Sequence, residues 1–380
     1  MNDGPKTPAA SPPEGSSDRL GAALRGPRPA DRRSVVGLAA RVIAWQRRHG
    51  RHSLPWQGSR DPYRVWLSEI MLQQTQVATV LDYYPRFLAR FADVQTLAAA
   101  PLDDVLGLWS GLGYYSRARH LHRCAQVVVA EHGGAFPASA AALAALPGIG
   151  RSTAAAIAVF CFGERVAILD GNVKRVLTRT LGFADDLALA AHERSLWQQA
   201  QALLPAAGIE AYTQGLMDLG AGVCSARRPH CDACPLRSLC IAHREGQPER
   251  YPVKTRKLKR TQRSNAMLWL SQGDRVWLVQ RPLRGVWAGL WTPPLHDALD
   301  ELEALAADWP GHGESLAPID HALTHFDWHL QPWRQRLPSR LSAARLAALE
   351  AELPVGRWFT VEQALALGLP APVRKLLASI

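Results

Sequence analysis

The 380-residue chain contains no uninterrupted apolar run of the roughly 18 residues that a membrane-spanning helix needs, which argues against a membrane protein. No leader is expected from its first residues. Residues 1–33 are rich in Pro, Gly, Ser and Ala, and their scattered arginines are mixed with Asp3, Glu14, Asp18 and Asp31. There is no apolar core there, so neither a secretory signal nor a transit peptide fits; the segment reads as a disordered tail on a cytoplasmic protein, nucleoid-associated if bacterial. No internal repeat is present. Acidic residues fall short of basic ones, 33 against 44, leaving a net charge of +11. An excess of this size points to a polyanionic partner, nucleic acid or an anionic membrane surface. Cysteine is scarce, at six residues. Cys124 and Cys161 stand alone in apolar helical patterns and read as buried thiols; the other four crowd between 224 and 240.

Hydrophobic residues make up 47% of the chain, enough for a large core, and the length suggests two domains. From 34 to 221 the pattern is helical: Val35, Leu38, Val42 and Trp45 recur at helical spacing, as do Val65, Ile70, Leu72 and Val77. The stretch 62–80 reads as one continuous helix. Loops such as 110–119 and 146–150 are short and marked by Gly or Pro. A basic segment, RYPVKTRKLKRTQR, lies within 246–263 and reads as an exposed linker, either a plain tether or a strip lying along phosphates. Beyond it the period changes to two. NAMLWLS and RVWLVQR flank Gln272-Gly273-Asp274 as in a β-hairpin, and Ala/Leu-rich stretches near 297–307 and 342–353 read as helices. The fold class is therefore multidomain: an all-α body over 34–245, then an α+β domain over 264–380.

Several motifs carry chemistry. In 143–160 an apolar helix is expected to end at Pro147, with Gly148-Ile149-Gly150 leading into a second helix. Glycines allow close backbone approach, and the free N–H groups at a helix start face an anion, so this turn suits a DNA phosphate as well as a simple helix reversal. Glu69 sits within or beside the apolar stripe of its helix, where burial raises a carboxyl pKa toward that of a general acid. Asp170, in AILDGNVKRVL, has the placement of an N-cap, where a carboxylate tends to stay ionised. One raised and one lowered carboxyl is the pairing that glycosidic cleavage uses. Cys224, Cys231, Cys234 and Cys240, spaced C-x6-C-x2-C-x5-C, suit either zinc or a [4Fe–4S] cluster.

LPWQ at 54–57, SEIMLQQTQVATV at 68–80, GLGYYSRAR at 111–119, LPGIGRSTA at 146–154, ILDGNVKRV at 168–176 and the cysteine loop together resemble, in order, the MutY-type adenine DNA glycosylases of the endonuclease III, or helix-hairpin-helix, superfamily. The resemblance is close over 34–245 and looser beyond. It implies a [4Fe–4S] cluster on the four cysteines, with the basic side chains of their loop, Arg227, Arg228 and His230, turned to DNA. It implies that Glu69 protonates the adenine, that Asp170 stabilises the cationic sugar, and that Asn172 lies near the nucleophilic water. Trp56 lines the extrahelical pocket, and Gln73 and Tyr114 wedge into the duplex. Gly148 and Gly150 hold backbone phosphate. Ser152 occupies the position where endonuclease III carries its attacking lysine, which implies little lyase action, with Lys174 left as an inefficient trap for a sugar aldehyde. The implied partner is duplex DNA with adenine opposite 8-oxoguanine or guanine, bound by a monomer and by no membrane.

The segment after the linker, with QRPLRGVWAGLWTPP at 280–294, resembles the Nudix-like domain of this family. A working Nudix hydrolase needs G-x5-E-x7-RE-U-x-EE, and Leu295 stands where the first Glu would be, so recognition is expected rather than hydrolysis. Thr324 and His325 match the residues placed against the oxidised guanine, while Leu323 replaces the usual Phe. Three rivals remain. A thymine-removing or bifunctional glycosylase on the same fold is opposed in its bifunctional form by Ser152, a noncatalytic lesion binder by the paired carboxyls, and a Nudix hydrolase by the missing box.

Overall fold

Apolar residues at helical spacing generate the first domain as a string of helices. The computed structural model describes residues 32–255 and 259–379. The expectation of a disordered tail falls on residues outside that range, apart from Arg32 and Arg33, which open the first helix. In chain order the helices are α1 (Arg32–His49), α2 (Pro62–Leu72), α3 (Val77–Arg90), α4 (Val94–Ala99), α5 (Leu102–Trp109), α6 (Ser116–His132), α7 (Ala140–Leu143), α8 (Arg151–Phe162), α9 (Gly171–Leu181), α10 (Ala190–Ala202) and α11 (Ile209–Asp218). A π-helical turn, Leu219–Val223, leads into the cysteine loop, and a short α12 (Ile241–Arg244) closes it.

The body has two cores. One gathers Trp66, Met71, Phe87, Trp109 and Leu121; the other gathers Val42, Val173, Leu177, Leu196 and Leu216. Helix α8 lies between them. Its run Ala154-Ala155-Ala156-Ile157-Ala158 is buried throughout, with Ile157 and Ala158 in the first core and Ala156 in the second. A helix that is apolar on every side is one meant to be buried, and its small side chains let helices approach from both directions.

Two boundaries differ from expectation. The stretch 62–80 is not one helix: it breaks over 73–76, where Gln74 takes a left-handed φ of +57°. Gln73 and Gln74 carry no apolar side chain that would hold another turn on the core. The helix before the glycine turn also ends early, at Leu143 rather than near Pro147.

The second domain is built on strands β1 (Thr261–Gln272), β2 (Arg275–Gln280), β3 (Trp291–Thr292), β4 (Leu295–His296), β5 (His312–Ser315), β6 (Ile319–Ala322), β7 (Phe326–Leu337) and β8 (Arg357–Thr360). The expected hairpin is present as β1 and β2, with Gly273 left-handed in its turn. The long parallel pairing of β1 with β7 runs from Thr261 opposite Phe326 to Gln272 opposite Leu337. Strand β1 therefore takes in 261–263, part of the linker expected from the sequence, because β7 offers partners for those residues. Both expected helices occur, as α13 (Leu299–Ala306) and α14 (Ala343–Glu352), and two more follow: α15 (Val361–Ala366) and α16 (Ala371–Ala378). α13 and α14 cover one face of the sheet, α15 and α16 the other.

The domains share a core. Trp287, Leu290, Phe326, Trp328 and Leu330 belong to the same buried cluster as Leu106 and Trp109. The approach is close at Gly107, where an added Cβ would stand 2.3 Å from the Ala366 carbonyl oxygen.

Candidate active site

The two halves of the helical body part on one side to leave a cavity of about 1020 Å³, at the upper end of the range for ligand pockets and roomy enough for a nucleotide. Trp56, Glu69, Gln73, Ser152, Asp170 and Asn172 all line it. Segments far apart in sequence thus converge: the loop after α1, the end of α2, the start of α8 and the start of α9.

Glu69 lies on α2, one turn before the break. Burial pushes its carboxyl up to about 8, and the neighbouring Asp170 charge adds to the rise. No hydrogen-bond donor among the described residues reaches it. Asp170 caps α9 as expected, its Oδ1 accepting from the Val173 amide at 2.7 Å. Its pKa, however, is raised rather than lowered. Burial outweighs the Val173 and Asn172 amides and the charges of Arg175 and Lys174, all of which pull the other way. The two carboxyls still differ in kind: Asp170 has donors and cations to hold its charge, and Glu69 has none.

Around them the fixing contacts are short. The Ser152 hydroxyl accepts from the Leu169 amide at 3.3 Å, tying α8 to the segment that delivers Asp170. Gln73 donates through its amide to the Thr153 hydroxyl at 3.2 Å. Gln73 and Gln74 both line the cavity, and Gln74 stands exposed at the apex of the turn. Asn172 accepts from Arg175 at 2.8 Å. Lys174 is engaged by Glu193 on α10.

Other expected site residues lie outside the cavity. Tyr114, in the loop between α5 and α6, has φ of +48° and is 47% exposed. Gly148 is left-handed and packs against His120, and Gly150 caps α8, whose first N–H groups have no partner within the helix. Thr324 and His325 are exposed at the tip joining β6 to β7, a tight turn in which the Leu323 amide donates to the Phe326 carbonyl at 2.9 Å.

Cys224, Cys231, Cys234 and Cys240 are all half-buried and line one small pocket of their own. Burial raises the last three thiols, Cys234 to about 11, and the charge of Cys224 adds to the rise in each. The fully buried guanidinium of Arg179 donates to the carbonyls of Ser225 at 2.7 Å and Ala226 at 3.0 Å, and to Cys224 Sγ at 3.3 Å. A sulfur-only donor set beside a buried cation suits an anionic iron–sulfur cluster. Among the described residues no three ligand side chains are grouped to share a single ion. Cys124 and Cys161 are buried thiols, as expected.

Sequence reasoning passed over two arginines. Arg175 donates to the carbonyls of Gly220 at 2.6 Å and Cys224 at 2.7 Å as well as to Asn172, joining the cavity wall to the root of the cysteine loop. Arg117 is 9% exposed, and its two Nη atoms donate to backbone carbonyls and the Thr75 hydroxyl at the break after α2 and to carbonyls of the loop before α6. The available signal was a basic residue on the inward face of an amphipathic helix, which periodicity alone discards as a solvated charge.

Comparison with known proteins agrees with this architecture. Residues 67–200 match the HhH-GPD superfamily of base excision DNA repair proteins, and 265–379 match the NUDIX domain. The chain is 35% identical over 343 residues to an adenine DNA glycosylase of Buchnera aphidicola (strain APS), covering 88% of this chain and 95% of the relative. It is 32% identical to the Homo sapiens adenine DNA glycosylase, covering 87% of this chain and 71% of that one. A solved structure of a thermostable thymine-DNA glycosylase superposes with a TM-score of 0.51 at 27% identity, over 56% of this chain and 98% of its own. With a relative this similar along nearly its whole length, the chain belongs to the MutY-type adenine DNA glycosylase family.

Proposed function

We propose that the protein hydrolyses the N-glycosidic bond of adenine placed opposite 8-oxoguanine or guanine in duplex DNA. The observation that carries this is the meeting of Glu69, held protonated by burial, and Asp170, ringed by donors, in one nucleotide-sized cavity. The target bond lies inside the base stack, so the adenine is flipped into the cavity, with Trp56 on its wall and Tyr114 and the Gln73–Gln74 turn filling the gap left behind. Glu69 gives its proton to a ring nitrogen of the base. The bond from sugar carbon to base nitrogen breaks, its electron pair leaving with the adenine. Asp170 stabilises the positive charge left on the sugar. Water, placed beside Asn172, adds to the sugar carbon and returns a proton to Glu69.

Ser152 offers no amine to attack the sugar, so the reaction ends at hydrolysis with weak or no strand nicking. Cys224, Cys231, Cys234 and Cys240 hold a [4Fe–4S] cluster, which when bound braces the loop and presents exposed Arg227, Arg228 and His230 to phosphate. Thr324 and His325 read the oxidised guanine. The enzyme acts as a monomer in the cytoplasm; no helix among the described residues is long and apolar enough to cross a membrane.

The test is a set of duplexes carrying A opposite 8-oxoguanine, A opposite G, A opposite T, and T opposite G, each incubated with enzyme and split by hot alkali, with a parallel borohydride trap. Cleavage of the first two at adenine, with little trapped product, is expected. The similarity to a thymine-DNA glycosylase supports a second reading; cleavage at the T of T opposite G, with adenine untouched, would establish it in place of the first.

A further inference from the structure

We infer that Arg117 is a positioning residue that locks the two duplex-inserting segments to one another, so that they enter the base stack as one rigid tool. The inference rests on the adenine-excising function and on the wedge roles given above to the 73–74 turn and Tyr114.

The two segments come from different parts of the chain. One is the break after α2, the other the loop between α5 and α6. Each carries a residue other than glycine in the left-handed region: Gln74 at φ +57° and Tyr114 at φ +48°. Such a backbone is strained for a residue that bears a side chain and persists only where the surroundings hold it. A single guanidinium holds both. Nη1 of Arg117 donates to the carbonyls of Ile70 and Met71, each at 3.0 Å, and to that of Gln73. Nη2 donates to the Thr75 hydroxyl at 2.9 Å and to the carbonyls of Leu112 at 3.2 Å and Gly113 at 3.3 Å. The acceptors therefore flank Gln74 on both sides and run up to Tyr114 on the other segment. The guanidinium also stacks near the rings of Trp109, at 5.5 Å, and Tyr114, at 5.4 Å.

Burial draws the Arg117 pKa down only to about 10, so the group stays charged at neutral pH and its hydrogen bonds are charge-assisted. A buried cation with no carboxylate among these partners is an expensive way to stabilise a fold. Its six acceptors are three carbonyls at the end of a broken helix, the Thr75 hydroxyl and two carbonyls of a glycine-rich loop, groups that would otherwise have to relax toward water. A planar fork is what can reach both sets at once; an ammonium cannot.

The test separates wedge positioning from general support of the fold. Arg117→Lys keeps the charge and loses the fork. Thr75→Val removes one acceptor on the turn and leaves the rest of the network, and it stands in if the lysine variant does not fold. Single-turnover excision is measured on two duplexes: adenine paired opposite 8-oxoguanine, and adenine facing an abasic gap, where no stack need be opened. In parallel, 2-aminopurine next to the target adenine reports unstacking by its fluorescence. Losing charge-assisted bonds is expected to slow the paired substrate more than the gapped one, by on the order of tenfold for Arg117→Lys, and to diminish the fluorescence rise. Thr75→Val should show the same bias, weaker. Equal losses on both substrates, or an unchanged fluorescence rise, would overturn the inference. Absence of adenine excision by the unaltered enzyme would instead overturn the function on which it rests.

Discussion

Glu69 and Asp170 show how two like side chains are set apart by their neighbours. Glu69 faces burial and a second carboxyl with nothing to offset them, so it keeps its proton up to about pH 8. In the free enzyme, excision that needs this proton should fall as pH rises through about 8, since above it the acid is spent before reaction. Stability should move the same way. The folded state binds a proton here that the unfolded chain releases above the ordinary carboxylate range, so rising pH between those limits destabilises the fold. Glu69→Gln should remove that pH-dependent loss of stability, bind DNA, and excise about 10²–10⁴-fold more slowly. Single-turnover rates and thermal unfolding across about pH 5–9 check both parts. A Gln variant that excises within a few-fold of the parent would remove Glu69 from the chemistry.

At the scale of elements, the cysteine loop is a segment with little apolar content that is pinned by one buried cation. Arg179 reaches three residues of the loop, and Arg175 reaches its root. Four half-buried thiols, three of them raised by burial, are poor neighbours for that cation unless they are ionised on a metal. The purified protein is therefore expected to be brown, with broad visible absorption and iron and sulfide bound by residues 224–240. Removing the iron with a chelator should make the loop sensitive to protease and weaken duplex binding. A colourless protein with one zinc per chain would exclude the cluster.

For the whole molecule, the junction of the domains is bonded as well as packed. The Tyr115 hydroxyl donates to the Leu369 carbonyl at 2.6 Å, Arg119 to that of Ala288 at 2.6 Å, and Arg374 to the Ser110 hydroxyl at 3.0 Å. These partners sit on the loop that bears Tyr114 and on the helix after it, so the second domain is docked against the part of the body that enters DNA. If Thr324 and His325 read the oxidised base, replacing both with Ala should narrow the ratio of excision rates between A:8-oxoguanine and A:G by about 5- to 150-fold, the worth of one lost buried hydrogen bond. Lys254→Ala with Lys259→Ala, both exposed near the strand entry, should weaken all duplexes alike and reduce the salt slope. An unchanged ratio in the first pair would make the tip at 323–325 a structural turn.

Sequence alone determined the division into a helical body and a strand-rich domain, because the period of apolar residues changes from helical to two across the basic segment. It placed the β1–β2 hairpin, the cap at Asp170 and the buried thiols, since these depend on neighbours within a few residues. It marked most of the residues lining the cavity through ordered motifs. What it could not determine depends on partners distant in the chain. The helix over 62–80 breaks where Arg117, more than forty residues on, supplies the bonds that its end lacks. Strand β1 starts at Thr261 because β7 lies beside it. Asp170 is raised rather than lowered because the far walls of the cavity bury it beyond what its cap can offset. Periodicity measures which side of a helix is apolar; only the folded chain decides how much water each charged group keeps.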